Sequence, residues 1–565
     1  MKPVNGISYV QIEFEIFKSE FISLVDALKN AKSFDAVVSK IDAINAKRNR
    51  WESMSSIAEA NHFSDLSNPS YEKAVAHYED RNSEIMLLIK SYYDAISHSA
   101  FSHQIEEKYG SQLLEIAKNE SELTNENVKE LLAEESKLSK EFGNVFHQIK
   151  YKIAGNSYSP DSIKVKLKSS DREERQKAVS AQSSKFNELE ESLSNNIISL
   201  IKVRNKIARA CGFDNYTSYS FTKLGRYDYS VCDIENHRKN LHKHLVPLTT
   251  SIRKEQAKKV KISNLKFHDY EHSNQNGDLF FEFESKENIE KISKMFHEIS
   301  TEAGHLFDKM NSKGLIDHKM SENRMPGNFA FYIPQKKTAY LHTNFTGSKE
   351  DFQLFSHEFG HALAYTLSDT EIPEYVYPFI EGAETQSTAM EYFCWPWMEQ
   401  FFGDRANEYK KWHLSASLLY LPQLSLIDEF EQALYEKEPQ NADALLELWK
   451  ETELKYIPFI EYEKAPFYSK GGRCLAFANW FVDYPCWSIC YSLAQINAFQ
   501  LWMEFKKDRK AGWDKYLLFC KIGGRSSVLD TLKKCGIESP LKDTTIVSVI
   551  NNIAIELAAL GDEAS

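Results

Sequence analysis

Residues that interrupt regular backbone are scarce here: 565 residues include 21 glycines and 15 prolines. Both counts fall below average usage, which argues against many short strands joined by tight turns and for long helices. The eight cysteines are scattered without a CxxC pair, which excludes a dense disulfide framework. Cys486 and Cys490 sit four apart and could touch a metal, but such a pair is more often small apolar packing. An excess of basic residues is missing: 69 Lys and Arg face 81 Asp and Glu, a net charge of −12. That balance argues against a nucleic-acid partner and suits a soluble protein that repels its own copies. The opening residues, Met1 to Ser8, lack the apolar stretch of a secretory signal, so a reducing cytoplasm is the expected location. Charge is absent from Tyr484 to Met503, which raises the question of a membrane span. Gln495, Asn497, Gln500 and several serines interrupt that run. A buried helix is therefore expected, with Asp483 and Pro485 as its cap and first turn, and no membrane partner. No histidine follows His413.

What is present reads mostly as helix. Hydrophobic residues at 42% and charged residues at 27% are those of a soluble globular protein. Phe14, Phe17, Phe21 and Leu24 keep a three-to-four spacing, and Ile85, Leu88, Ile89 and Tyr92 share one helical face. From Gln104 to Lys152, Glu and Lys surround leucines at helical spacing. Strict heptads do not persist, so packed helices are expected there rather than a coiled coil. Between Asp161 and Lys168, the alternation of Ile163, Val165 and Leu167 predicts a short strand, and Ser170-Asp171 predicts the cap of the next helix. The polar stretch Tyr270 to Asp278 is expected as a loop. His237, His242 and His244, with Lys239 and Lys243, are expected on a solvated helix face. Phe329, Phe331 and Ile333 alternate, a second extended run covers Ala339 to Phe345, and Lys336-Lys337 lies at the turn between them. This predicts a hairpin whose edge could hold a peptide backbone as an added strand.

The chemistry concentrates in Phe355 to Leu363, which contains the motif HExxH. On a helix, residues four apart project from one face, so His357 and His361 can offer two imidazole nitrogens to one metal. Glu358 can reach a water on that metal and take its proton. A catalytic zinc needs a third protein ligand. The arrangement HExxHxxGxxH is excluded because Ala364 and Leu367 occupy the required places. Glu384, on an expected second helix beyond Pro373 and Pro378, is the candidate third ligand. Glu391 falls on the same face two turns later and could accept the second ring N–H of a ligating histidine. A solvated stripe of Glu381, Glu384 and Glu391 is the structural alternative.

HEFGH followed by ExxSTxxE resembles the thimet oligopeptidase and oligoendopeptidase F family of zinc metallopeptidases, above all its shorter bacterial branch that includes Pz-peptidase. The likeness extends beyond the two helices. Phe63 to Pro69 with Tyr71, Ser170-Asp171-Arg172, Ala210 to Tyr216, Tyr332-Ile333-Pro334 with Ala339 to Gly347, and Tyr491 to Ile496 are each similar to family segments. The resemblance implies a mainly α-helical, bilobed peptidase with a small β-sheet beside a deep central channel. Residues 1–200 would form a helical lobe over the channel, and 201–565 the catalytic region. It further implies one Zn²⁺ per chain on His357, His361 and Glu384, short unstructured peptides as partners, and cleavage of internal bonds. Ala339, Tyr340, Leu341 and His342 would contact substrate, and Tyr491 would steady the oxyanion. A zinc carboxypeptidase with the same ligands, or a zinc-binding peptide-binding protein with little turnover, is the alternative. The chain also departs from the family. Where relatives carry two adjacent tyrosines it has Trp487 and Ser488, and the window of the family's C-terminal histidine holds Asn479 and Trp480. Tyr484 and Tyr468 are the substitute oxyanion donors the sequence offers.

Overall fold

With so few breakers, helices run long. Phe34–Ser64 spans 31 residues, Val231–Lys259 29 and Ala406–Lys437 32. A computed structural model describes residues 8–562 apart from 124, 161, 273–278, 320 and 322, and its architecture is mainly α-helical with two small sheets. The first helix, Phe14–Lys29, buries Phe14, Phe17 and Phe21 as its spacing predicts, and Val25 and Leu28 continue the stripe.

Two buried cores organise the chain. The larger joins the first helices to the segment carrying HExxH and to the C-terminal helices, through residues such as Phe21, Ile41, Phe359, Met390 and Phe499. The second joins Phe142, Ile197 and Tyr216 to Phe430, Trp449 and Phe481. The boundary expected near residue 200 falls inside the helix Glu190–Ala210.

Three local expectations need correction. Ser162–Leu167 is helical, not extended. Ser159 and Ser162 exchange hydrogen bonds across the turn, which starts a helix, and Val165 consequently points outward at 74% exposure while Ile163 is buried. Asp161 lies outside the described residues. His237 is buried rather than solvated, with Nδ1 against the Pro540 carbonyl and Nε2 against the Ser492 hydroxyl, both at 2.9 Å. Its burial pushes the pKa down to about 4. The helix that carries the uncharged run starts at Ser488, with Trp487 as its cap, so Pro485 precedes it and Asp483 ends the preceding short helix. Its Gln495 and Asn497 bond to Tyr392 and Thr385 on Ile380–Phe393, so the polar residues that interrupt the run are satisfied inside the core. Asp543–Gly561 is the one described helix long and apolar enough to cross a membrane, with 33% of it buried.

Asp171 does cap Arg172–Glu188, accepting the Glu173 N–H. Arg172 and Arg175 of that helix also grip the buried Asp269, just before the polar stretch of which residues 273–278 lie outside the described set.

The expected hairpin forms. Phe329–Ile333 pairs antiparallel with Thr338–His342, with Lys337 in a left-handed conformation between them. A short third strand, Ile316–Asp317, pairs parallel on the other side of Thr338–His342. Thr338–His342 is therefore the central strand, and all five of its residues are buried.

Candidate metal centre

The helix Lys349–Leu367 begins at a capping box in which Ser348 and Asp351 satisfy each other's backbone. Asp351 also accepts the N–H groups of Thr346 and Gly347 at 2.8 and 2.6 Å, so the entry to the helix is fixed. His357 and His361 stand one turn apart on it. The second helix, Ile380–Phe393, crosses it at Gly360, the glycine of HEFGH. A Cβ at that position would lie 2.7 Å from the Ser387 Cα. Only a glycine permits this approach, and the approach carries Glu384 to the histidines.

The Glu384 carboxylate lies 3.3 Å from Nε2 of His357 and 3.7 Å from Nε2 of His361. Each of the three residues offers one ligand atom, and these atoms lie within 4.8 Å of one another. Such a spacing suits three donors around one ion, and two neutral imidazoles with a carboxylate are ligands zinc accepts. Burial holds the His361 pKa down at about 4, so that ring is neutral at physiological pH. Glu358 is 6% exposed, and burial first, then the charges of Glu384 and Glu391, push its pKa up to about 7 despite the opposing pull of His357. A carboxylate poised there can both take and return a proton near neutral pH.

Behind the ligands runs a fixed chain of hydrogen bonds. His357 Nδ1 lies 2.7 Å from Glu391 Oε1, and His413 Nε2 lies 2.7 Å from Glu391 Oε2, which also accepts from Gln353. Trp395 Nε1 donates to His413 Nδ1 at 3.0 Å. An indole N–H can only donate, so His413 Nδ1 must accept and His413 must give its one proton to Glu391. Glu391 in turn takes the Nδ1 proton of His357, and Nε2 faces the Glu384 carboxylate. Burial alone would raise the Glu391 pKa, but these two histidine bonds outweigh it and hold it at about 2. Outer partners of this kind orient a ligand and raise its basicity. His413→Ala is therefore expected to weaken zinc affinity roughly 10–100-fold, measured by competition with a chromogenic chelator, with the fold retained.

Glu381 is not part of a solvated stripe either. It is buried at the start of the same helix, bonded to Arg226 Nε at 2.8 Å and to the Tyr229 hydroxyl at 2.7 Å.

Of the tyrosines, Tyr491 stands near Glu384: burial first, then the charge of Glu384, raise its hydroxyl pKa, and its ring packs edge-on against Trp480 at 5.6 Å. Tyr468 is buried in the second core, against Phe186 and Phe267. Tyr484 packs on Trp487 at 5.3 Å. Tyr365 and Tyr420 carry no motif, yet burial and the charge of Glu384 raise the pKa of both hydroxyls. Tyr365 stacks on His361 at 5.8 Å and could have been found from its spacing, four residues after that histidine. Tyr420, on the distant helix Ala406–Lys437, leaves no such signal, and neither does His413.

Tyr377 and Tyr420 are each 38% exposed. The central strand of the nearby sheet does not present an open edge along its length. Leu341 donates to the Leu315 carbonyl and Thr343 to the Asp317 carbonyl, while the other side pairs with Phe329–Ile333. The Tyr340 hydroxyl is held by Asp317, and His342 lies between Arg324 and the Met325 carbonyl. The outer edge belongs to Phe329–Ile333, whose Tyr332 packs on Tyr365 at 5.8 Å.

Residues 165–549 match Peptidase family M3, and residues 4–124 match the Peptidase M3 N-terminal domain. Among curated proteins none matches. Among solved structures, the chain is similar to Pz peptidase A in complex with an inhibitor, at 29% identity and TM-score 0.94, over 98% of this chain and 99% of that one. It is similar at 28% identity and TM-score 0.95 to a structure assigned to oligoendopeptidase F, over the whole of both chains. A third, assigned to oligoendopeptidase F from Bacillus anthracis str. Ames, aligns at 28% identity and TM-score 0.89 over 98% of each chain.

Proposed function

The chain belongs to peptidase family M3, and on that premise we propose that it is a zinc-dependent endopeptidase that cleaves internal bonds of short unstructured peptides. The observation that carries the reading is the meeting of His357, His361 and Glu384 around one point with Glu358 beside them. His357 Nε2, His361 Nε2 and the Glu384 carboxylate would hold the metal. Zinc, when bound, polarises the scissile carbonyl and makes water acidic enough to attack near neutral pH. Glu358 takes the proton of the attacking water and passes it to the leaving amine. Tyr491 donates to the oxygen that becomes negative, with Tyr420 and Tyr365 as the other hydroxyls within the field of Glu384. The peptide backbone adds along the outer edge of Phe329–Ile333 at Ala330 and Tyr332. Ala339, Tyr340, Leu341 and His342 form the strand that holds that edge in place.

Peptides blocked by N-acetylation and C-terminal amidation test this. Mass spectrometry is expected to find them cut at internal bonds. Trimming confined to peptides with a free C-terminus would instead assign a carboxypeptidase.

A further inference from the structure

A cavity of about 430 Å³ lies between the N-terminal helices and the segment Pro373 to Ile380 that joins the two ligand helices. It adjoins the metal centre through aromatic rings. His361 stacks on Tyr365 at 5.8 Å, and Tyr365 meets Tyr377, a wall of the cavity, at 4.7 Å. An extended peptide advances about 3.3–3.6 Å per residue, so the cavity begins two or three residues from the reacting bond.

Its lining includes the apolar Phe17, Leu88, Ile116 and Phe379 and the carboxylates of Glu52 and Glu120. Most of the remaining charge is already committed. Arg48 pairs with Glu374 at 2.6 Å and lies against Tyr92 and Tyr93, and Tyr93 also donates to Glu374. Glu374 Oε2 is buried without a hydrogen-bond partner among the described residues. Lys223, exposed at the rim, is the one other cation in the lining. Glu52 is exposed in the cavity wall, four residues after Arg48, and Glu120 receives a long bond, 3.4 Å, from the Tyr227 hydroxyl and feels the charge of Lys223. Glu59, seven residues after Glu52 on the same helix, adds another carboxylate of the same sign. Burial raises the pKa of Glu52 and Glu120, against the opposing pull of Arg48 and Lys223, and the lining holds three carboxylates, Glu52, Glu120 and Glu374, for two cations.

We infer that this cavity is a subsite that takes a cationic group of the bound peptide, its α-ammonium or a lysine or arginine side chain, against Glu52 and Glu120 with the apolar stem along Phe17 and Phe379. The assignment rests on the peptidase reading but is tested apart from turnover. Zinc-loaded Glu358→Gln protein is titrated calorimetrically with a matched series: a peptide with a free N-terminus, its N-acetylated form, and acetylated forms in which lysine replaces norleucine at successive positions. Cationic peptides are expected to bind about tenfold more tightly than neutral ones. The comparison of arms tells whether the ammonium or a side chain fills the site. In Glu52→Gln combined with Glu120→Gln the preference is expected to fall to about twofold or less while neutral peptides bind as before, and each single variant falls between. An unchanged preference in the double variant, or none in the parent protein, overturns the assignment. A clear preference in a protein that cleaves nothing would sustain the subsite while the peptidase reading falls.

Discussion

Replacing Glu358 by Gln is expected to cut peptide turnover by roughly 10²–10⁴-fold, with zinc content and peptide binding retained. The separation follows from where Glu358 stands. It is not among the three residues whose donor atoms converge, so its amide leaves the metal site intact. Its side chain is 6% exposed and burial lifts its pKa to about 7, which matches a group that must take a proton and give it back. Glutamine keeps the shape and loses that exchange. Zinc content measured by plasma emission, beside kcat/KM on one internally quenched peptide, checks both halves. A variant that loses its zinc would make Glu358 a ligand or a support for one, and a variant with full turnover would remove it from the chemistry.

The second large effect is on stability. Glu381→Ala is expected to cost about 3–5 kcal/mol, because it leaves the Arg226 guanidinium buried without its carboxylate. Both side chains are sealed in the interior, at 0% and 1% exposure, joined by the 2.8 Å bond, and Tyr229 donates to the same oxygen. Glu381 sits in the first turn of the helix that bears Glu384, so zinc affinity is expected to fall with stability. Urea denaturation monitored by circular dichroism measures the loss. Removing both charges, Arg226→Met with Glu381→Leu, is expected to recover much of it, since an apolar pair carries no stranded charge. A loss below about 1 kcal/mol for the single variant would mean the pair is hydrated and not a buried constraint.

The two ligand helices were legible because their information is local. Four-residue spacing sets His357 over His361, and Pro373 and Pro378 mark the break before the helix that carries Glu384; the capping box at Ser348 and the close crossing at Gly360 emerge only in the fold. Glu391 was legible for the same reason, at two helical turns from Glu384. The support beyond it was not. His413 reaches Glu391 from a helix whose sequence carries no motif, and Trp395 dictates its tautomer from yet another segment. Long-range burial also overrode local pattern at His237, where charged neighbours suggested solvent but packing against Pro540 and Ser492 decided. The alternation at Ile163, Val165 and Leu167 yielded to serine hydrogen bonds at the preceding turn. The hairpin was read correctly, yet a two-residue strand, Ile316–Asp317, is too short to announce itself. That strand makes Ala339 to His342 the middle of the sheet rather than its edge.

The central claim, that one zinc on His357, His361 and Glu384 works with Glu358 to break internal peptide bonds, is tested most directly by mass spectrometry of a mixed pool of short peptides. The pool is incubated with zinc-loaded protein, with chelator-treated protein before and after one equivalent of zinc is restored, and with Glu358→Gln. Internal cleavage by the loaded protein is expected, lost on chelation, regained with zinc and absent in the variant. If the parent protein and the variant both hold zinc and leave every peptide intact, the claim is contradicted, and the chain binds peptides without cleaving them.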